Sequence, residues 1–302
     1  MDNPNAQCPI LQLDSDAFCV LASELPDHAK VLLSQTCRGI RRMLQNEKIV
    51  PALSAPEHVR LLVHLSRGNP NVWACAECKK QHPVTKSGFQ RDSWFSSCPN
   101  RRFLRRREGV FNVNYARVQL ALKYSRFAIA NSRIRSYLDS IMEYESDYHS
   151  VEQRHSREEF EWSSRPRVID GRFLVKHVWD YRMYSASSRP SRLPLISVCN
   201  HQRLKRPPEG IVWGEEREQL VRAVQQALSD NRKGIEYCGS CTFCPTDFSV
   251  RIFDDGMYVE AWKDFGPEDG PSNPTWASHR LSEAQRTPSD RGSVRRLYYE
   301  IH

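Results

Sequence analysis

Five of the ten cysteines in this 302-residue chain fall in two tight groups, Cys75-Ala-Glu-Cys78 and Cys238-Gly-Ser-Cys241-Thr-Phe-Cys244. A Cys-x2-Cys turn sets two thiolates on one side of a short loop, spaced like two corners of a tetrahedral zinc shell. Further donors stand at suitable distances along the chain: His82 and Cys98 follow the first group, and Cys199-Asn-His201 precedes the second. The spacing predicts two four-ligand sets, Cys75, Cys78, His82 and Cys98, then Cys199, His201, Cys241 and Cys244. The second set has five candidates for four places. Cys241 and Cys244 are chosen because Cys244-Pro245-Thr246-Asp247 leads straight into a strand, and Cys238 stays open as an alternative ligand. The competing reading is a set of small buried apolar thiols, with His82 merely leading the turn at Pro83.

Shells filled by four thiolates and imidazoles leave no open position for a water, so the predicted zinc ions are structural, not catalytic. Trp73-Ala-Cys75-Ala-Glu-Cys78 has the outline of a redox motif, but such a motif opens a helix, and Pro83 stops one here. The chain contains no His-Glu-x-x-His, Gly-x-Ser-x-Gly, phosphate-cradling glycine loop or His-x-Glu deaminase signature. The expectation is a protein without catalysis of its own, in which His58, His64, His149 and His155 are surface or packing residues.

Hydrophobic residues make up 39% and charged residues 26%, the composition of a globular chain. No stretch reads as a secretory leader or a membrane span, so the expected setting is intracellular, cytoplasm or nucleus. There clustered cysteines bind metal more often than they form disulfides. The formal charge of +8 is concentrated in Arg101, Arg102, Arg105, Arg106 and Arg107. Such a cluster suits phosphate groups or nuclear import. The simpler reading is a solvated face that offsets the acidic stretch from Glu143 to Glu161.

Apolar periodicity predicts short helices over residues 13–44, with a break at Leu25-Pro26-Asp27, and another helix from Pro56 to Leu65. Residues 72–104 read as loop held by metal and by Trp73, Phe89 and Trp94. Tyr115, Val118, Leu122 and Ile129 fit one helical face, and Ile134, Leu138, Ile141 and Met142 another. The polar run from Glu143 to Glu161 reads as an exposed helical extension. Val168 to Trp179 reads as strand or hairpin, Ser185 to Pro194 as linker, and Leu220 to Leu228 as an amphipathic helix. Phe248, Val250 and Ile252 alternate, Asp254-Asp255-Gly256 turns the chain, and Tyr258, Glu260 and Trp262 alternate on return. Val294 to Ile301 closes the chain as a helix. The predicted fold class is α+β: a small helical segment over residues 8–48, then a Cys/His-rich mixed domain over residues 49–302.

The segment from Leu13 to Arg38 resembles an F-box. Leu25-Pro26, Leu32, Leu33 and Thr36-Cys37-Arg38 match the family pattern, and Leu13-Asp14 stands where the family has its first Leu-Pro. The rest of the chain is similar to filamentous-fungal F-box-like proteins. The likeness lies in Trp73-x-Cys75-x2-Cys78-x3-His82-Pro83, the helix from Val118 to Lys123, Cys199-x-His201, and Cys241-x2-Cys244-Pro245-Thr246-Asp247-Phe248. The resemblance implies a substrate-recruiting subunit of a Skp-cullin-F-box ubiquitin ligase. Leu13, Leu25, Pro26, Leu32 and Leu33 would meet the Skp adaptor, and the zinc-stapled remainder would meet a target protein. The alternative expectation is a zinc-stabilised nucleic-acid binder working through Arg101 to Arg107.

Overall fold

The structure is a computed structural model that describes residues 9–46, 52–84, 98, 113–129, 131–153, 156–185, 196–204, 219–230, 233–280, 287 and 289–300. The Arg101–Arg107 cluster and residues 186–194 of the expected linker lie outside the described residues.

Three short helices open the fold: α1 (Ser15–Ser23), α2 (Asp27–Ser34) and α3 (Arg38–Asn46). The Asp14 side chain caps α1 by accepting from the Ala17 N–H at 2.7 Å. Pro26 sits at the N-cap of α2 in extended backbone, which separates the first two helices. Phe18, Ala22, Ile40 and Leu44 form a small core of their own, with Leu33 and Met43 packed against it. Helix α4 (Ala55–Ser66) follows, capped by Ser54 with Pro56 in its first turn. It packs on α2 on one side and on the next two strands on the other.

Over residues 72–83 those strands correct the expectation of a loop; residues 85–104 of that expected loop, Phe89 and Trp94 included and Cys98 apart, lie outside the described residues. β1 (Val72–Cys75) and β2 (Lys80–Pro83) pair antiparallel, with Trp73 opposite His82. Trp73, Ala74 and Cys75 are all buried, so β1 lacks the alternation that marks a half-exposed strand in sequence. The Gln119 side chain accepts from the Ala74 N–H at 2.8 Å and ties the hairpin to the central helix α5 (Tyr115–Phe127). This helix is buried almost all round, not on one face. Lys123 is enclosed with it, and its Nζ donates to the Val72 carbonyl at 2.6 Å. Burial holds that ammonium down at about 8, with Glu268 opposing the shift. Ile129 lies beyond the helix end and is 86% exposed, so it does not extend the core. Helix α6 (Ser132–Ile141) packs against α5.

The second correction concerns residues 143–161. Residues 145–153 and 156–161 form strands, β3 (Glu145–Gln153) and the first part of β4 (Ser156–Ile169), not a helical extension. A polar run announces exposure in either conformation. What decides is non-local: β4 pairs along its whole length with β5 (Arg172–Ser185) through the Asp170-Gly171 turn. Both turn residues have positive φ, 49° and 67°, the requirement of a tight two-residue hairpin.

Two more strands, β6 (Ile196–Cys199) and β7 (Gln202–Leu204), make a separate small hairpin. Helix α7 (Gln219–Ser229) lays its Leu220, Val221 and Val224 against that hairpin and the main sheet. The main sheet is completed by β8 (Tyr237–Ser240), β9 (Thr246–Ile252) and β10 (Gly256–Pro267), in the order β3-β4-β5-β10-β9-β8 and antiparallel throughout. The β9–β10 hairpin turns where the sequence places it. Helices α8 (Pro274–Arg280) and α9 (Ser293–Tyr299) close the fold against β10. The protein is thus α+β. Among the described residues no helix is long and apolar enough to cross a membrane.

Candidate metal centres

The first centre is built on the β1–β2 hairpin. Cys75 ends β1, Cys78 lies in the turn, and Lys79 after it takes a left-handed φ of 52° that folds the loop back on the thiols. His82 points back from β2, and Cys98 arrives from a distant stretch. One donor atom from each of Cys75, Cys78, His82 and Cys98 lies within 4.8 Å of the other three. The Sγ of Cys98 is 3.8 Å from that of Cys75 and 3.6 Å from that of Cys78. Zinc–sulfur arms of about 2.3 Å set tetrahedral neighbours about 3.8 Å apart, so the spacing suits one shared ion. The Cys78 N–H donates to Cys75 Sγ at 3.4 Å, a bond that favours a thiolate.

The donor set passes a second test. Nε2 of His82 is buried with no hydrogen-bond partner among the described residues, the state of a nitrogen that awaits a ligand. Burial, with Lys80 adding to it, lowers the His82 pKa and keeps the imidazole in the neutral form that binds metal. Burial pushes the Cys75 thiol up to about 12, and Cys98 and Cys78 add to the shift despite the opposing Cys78 N–H. Three thiols this close cannot ionise together unless a cation joins them.

The second centre joins two hairpins. Cys199 ends β6 and His201 follows in the β6–β7 turn, while Cys241 and Cys244 bracket the β8–β9 connection. These four again place donor atoms within 4.8 Å of one another. The three cysteines are buried as a cluster, and His201 stacks on Phe243 with ring centroids 5.2 Å apart. Sγ of Cys199 lies 3.9 Å from Nδ1 of His201, and the Phe243 N–H donates to Cys241 Sγ at 3.4 Å. Burial drives the Cys199 thiol well above its ordinary range, and Cys241 and Cys244 reinforce that. Cys244 moves the opposite way because Cys199 and Cys241 both hydrogen-bond to it.

Lys263 of β10 is a residue that the sequence did not single out. It is wholly buried and lies within electrostatic reach of Cys199 and Cys244. A divalent ion with three thiolates carries one net negative charge, which the Lys263 ammonium can offset. Burial lowers its pKa to about 7, and the two thiolates oppose that shift. Cys238, the alternative ligand, stays outside the cluster: it is exposed, and Nη1 of Arg295 donates to its Sγ at 3.3 Å. No described cysteine is in a disulfide. The two clusters can each hold a metal ion. A third group, His28, His64 and Asp269, also converges, although no local spacing announces it.

The residues expected to meet an adaptor divide into two kinds. Leu33 turns inward against the Phe18–Leu44 core, and Leu25 and Leu32 are half-buried. Pro26 and Leu13 are exposed, and so are two apolar residues of α1, Val20 at 67% and Leu21 at 47%. A cleft between the sheet and α9 has Tyr144, Arg165, Arg167, Lys176, Tyr258 and Tyr299 in its lining, together with Glu161 and Asp180. No family model, curated protein or solved structure matches the chain.

Proposed function

We propose that the protein is a non-catalytic, F-box-type recruiting subunit of a Skp-cullin-F-box ubiquitin ligase, acting in the cytoplasm or nucleus, with two structural zinc ions. Above all, this reading is supported by α1 and the residues just before it: Leu13, Val20 and Leu21 stay in solvent although the helices around them have a core of their own. Exposed apolar side chains on a small helical unit are what a docking partner covers. The zinc ions fit the two Cys3His sets, whose four donors fill a tetrahedral shell and leave no place for a reacting water. The cleft by α9 offers tyrosines and arginines, the residue types that dominate binding energy at interfaces, and is assigned to the target protein.

The test is co-purification of the full chain with a Skp adaptor. Leu21→Asp and Val20→Asp alter side chains in solvent, so the fold is expected to survive. Loss of one buried apolar anchor is worth about 1.5–3 kcal/mol, so capture should fall ten-fold or more. Leu33→Asp is expected to lose binding through unfolding, because that side chain packs inward. A wild-type chain that captures no Skp adaptor, or α1 variants that bind as well as wild type, would contradict the proposal.

A further inference from the structure

Where the N-terminal helices meet the sheet, three elements bring their donors to one point. His28 lies in the first turn of α2, His64 in the last turn of α4, and Asp269 in the loop between β10 and α8. One donor atom from each lies within 4.8 Å of the other two. The two imidazoles stack with centroids 5.0 Å apart and planes tilted by 21°. Nε2 of His64 is 3.4 Å from Oδ1 of Asp269, long for a charged hydrogen bond. It matches the tetrahedral edge of about 3.3 Å that arms of about 2.0–2.1 Å give.

The surroundings orient each donor. Nδ1 of His28 donates to Oε2 of Glu57 at 2.6 Å, which leaves Nε2 as the nitrogen with a free lone pair. A carboxylate on the far nitrogen is the arrangement that fixes the tautomer and raises the basicity of metal-bound histidines. Asp269 is held in the same way. Its Oδ2 accepts from Asn273 at 3.1 Å and pairs with Arg60 at 3.3 Å, while Arg60 Nε donates to the Asp269 carbonyl. Arg60 also bonds Glu57 at 3.0 Å, so one guanidinium locks both carboxylates. Its positive charge works against a cation, but Glu57 and Asp269 together outweigh it, and the site has one net negative charge before any ion enters. His28 is buried while His64 and Asp269 are partly open to solvent, which leaves a route in.

We infer that His28, His64 and Asp269 form a third metal site, with Glu57 and Arg60 as its positioning residues, for a divalent ion of the zinc class. Two imidazoles and one carboxylate form a borderline donor set, unlike the thiolate shells elsewhere in the chain. Three protein donors leave a coordination position for water. The ion ties α2 and α4 to the β10–α8 loop, a seam that hydrogen bonds and ion pairs from Glu57, Arg60, His64 and Arg67 also hold. The inference stands independently of adaptor binding.

The experiment is a titration of the purified full chain with zinc chloride, repeated with cobalt chloride. Wild type is expected to take up three ions per chain. The third cobalt adds d–d absorption without thiolate charge transfer, which separates it from the two sulfur-rich shells. His64→Asn and Asp269→Asn, near-isosteric changes whose folding is checked by thermal melting, are expected to take up two ions. Glu57→Gln is expected to weaken the third site about 10–100-fold and leave the thiolate-bound ions unchanged. Saturation of wild type without an ion free of thiolate charge transfer overturns the inference. So does such an ion that persists at full affinity in Asp269→Asn.

Discussion

Serine in place of Cys244, or a strong chelator acting on the wild-type chain, is expected to unfold the β8–β9–α7 half of the protein. The reason lies in where the donors come from. Cys199 and His201 belong to the small β6–β7 hairpin, and Cys241 and Cys244 to the edge of the main sheet. An ion held there would therefore crosslink two sheets that share no strand pairing. Structural zinc in small domains contributes about 10–16 kcal/mol on the apparent scale, as much as the 5–15 kcal/mol that holds a typical domain folded. Without an ion, three thiols stay buried together beside the enclosed Lys263 with no bond joining the two hairpins. Loss of the first shell is expected to do less. Three of its four donors lie on one hairpin, which Gln119 and Lys123 hold to α5 by hydrogen bonds that need no metal. Thermal melting and hydrogen exchange, with and without chelator, separate the two cases. Both transitions are expected to move to lower temperature in acid, because protons compete with the ion for thiolate and imidazole. A melting curve that ignores chelator and Cys244→Ser alike would contradict this account.

Gly256→Ala is expected to cost about 3 kcal/mol or more, a large effect for one methyl group. Gly256 opens β10 opposite Arg182 of β5, and a Cβ there would run into the Tyr181 carbonyl. The obstacle is backbone in the middle of a six-stranded sheet, not the end of a flexible side chain. Relief therefore requires the β5–β10 seam to open. Gly171 gives the contrast. It has open space around it, and only its φ of 67° resists a side chain, so Gly171→Ala should cost about 1–2 kcal/mol. Urea denaturation of the two variants should place Gly256→Ala well below Gly171→Ala in midpoint. Equal losses would mean that the β5–β10 contact is looser than it looks here.

The cysteine spacing was the most legible part of the sequence because ligand chemistry is local: a Cys-x2-Cys turn means the same thing wherever it occurs. Even the distant members, Cys98 and Cys199, could be named, since few other donors stood near enough to complete each set. The β9–β10 hairpin was legible for a similar reason, an Asp-Asp-Gly turn between two alternating runs. The β3–β4 pair was not. Its polar residues signal solvent exposure, and the pairing with β5 that makes them strands is fixed by residues further along the chain. Leu33 shows another limit. A leucine stripe on a short helix reads the same whether it fills an internal core or awaits a partner, and here Leu33 went inward while Val20 and Leu21 stayed out. The His28–His64–Asp269 group was invisible because its members come from three elements with no shared spacing. Lys263 sat in what read as an ordinary alternating strand.

The most direct check is to count zinc in the native chain and follow alkylation of each cysteine by mass spectrometry, before and after chelation. Sulfur atoms that share an ion should resist the reagent together and surrender together: Cys75, Cys78 and Cys98 as one group, Cys199, Cys241 and Cys244 as another, each releasing one zinc. Cys238 should react from the outset. A protein that carries no zinc, or six cysteines whose labelling is indifferent to the chelator, would show that burial alone gathers them and that no ion holds this fold.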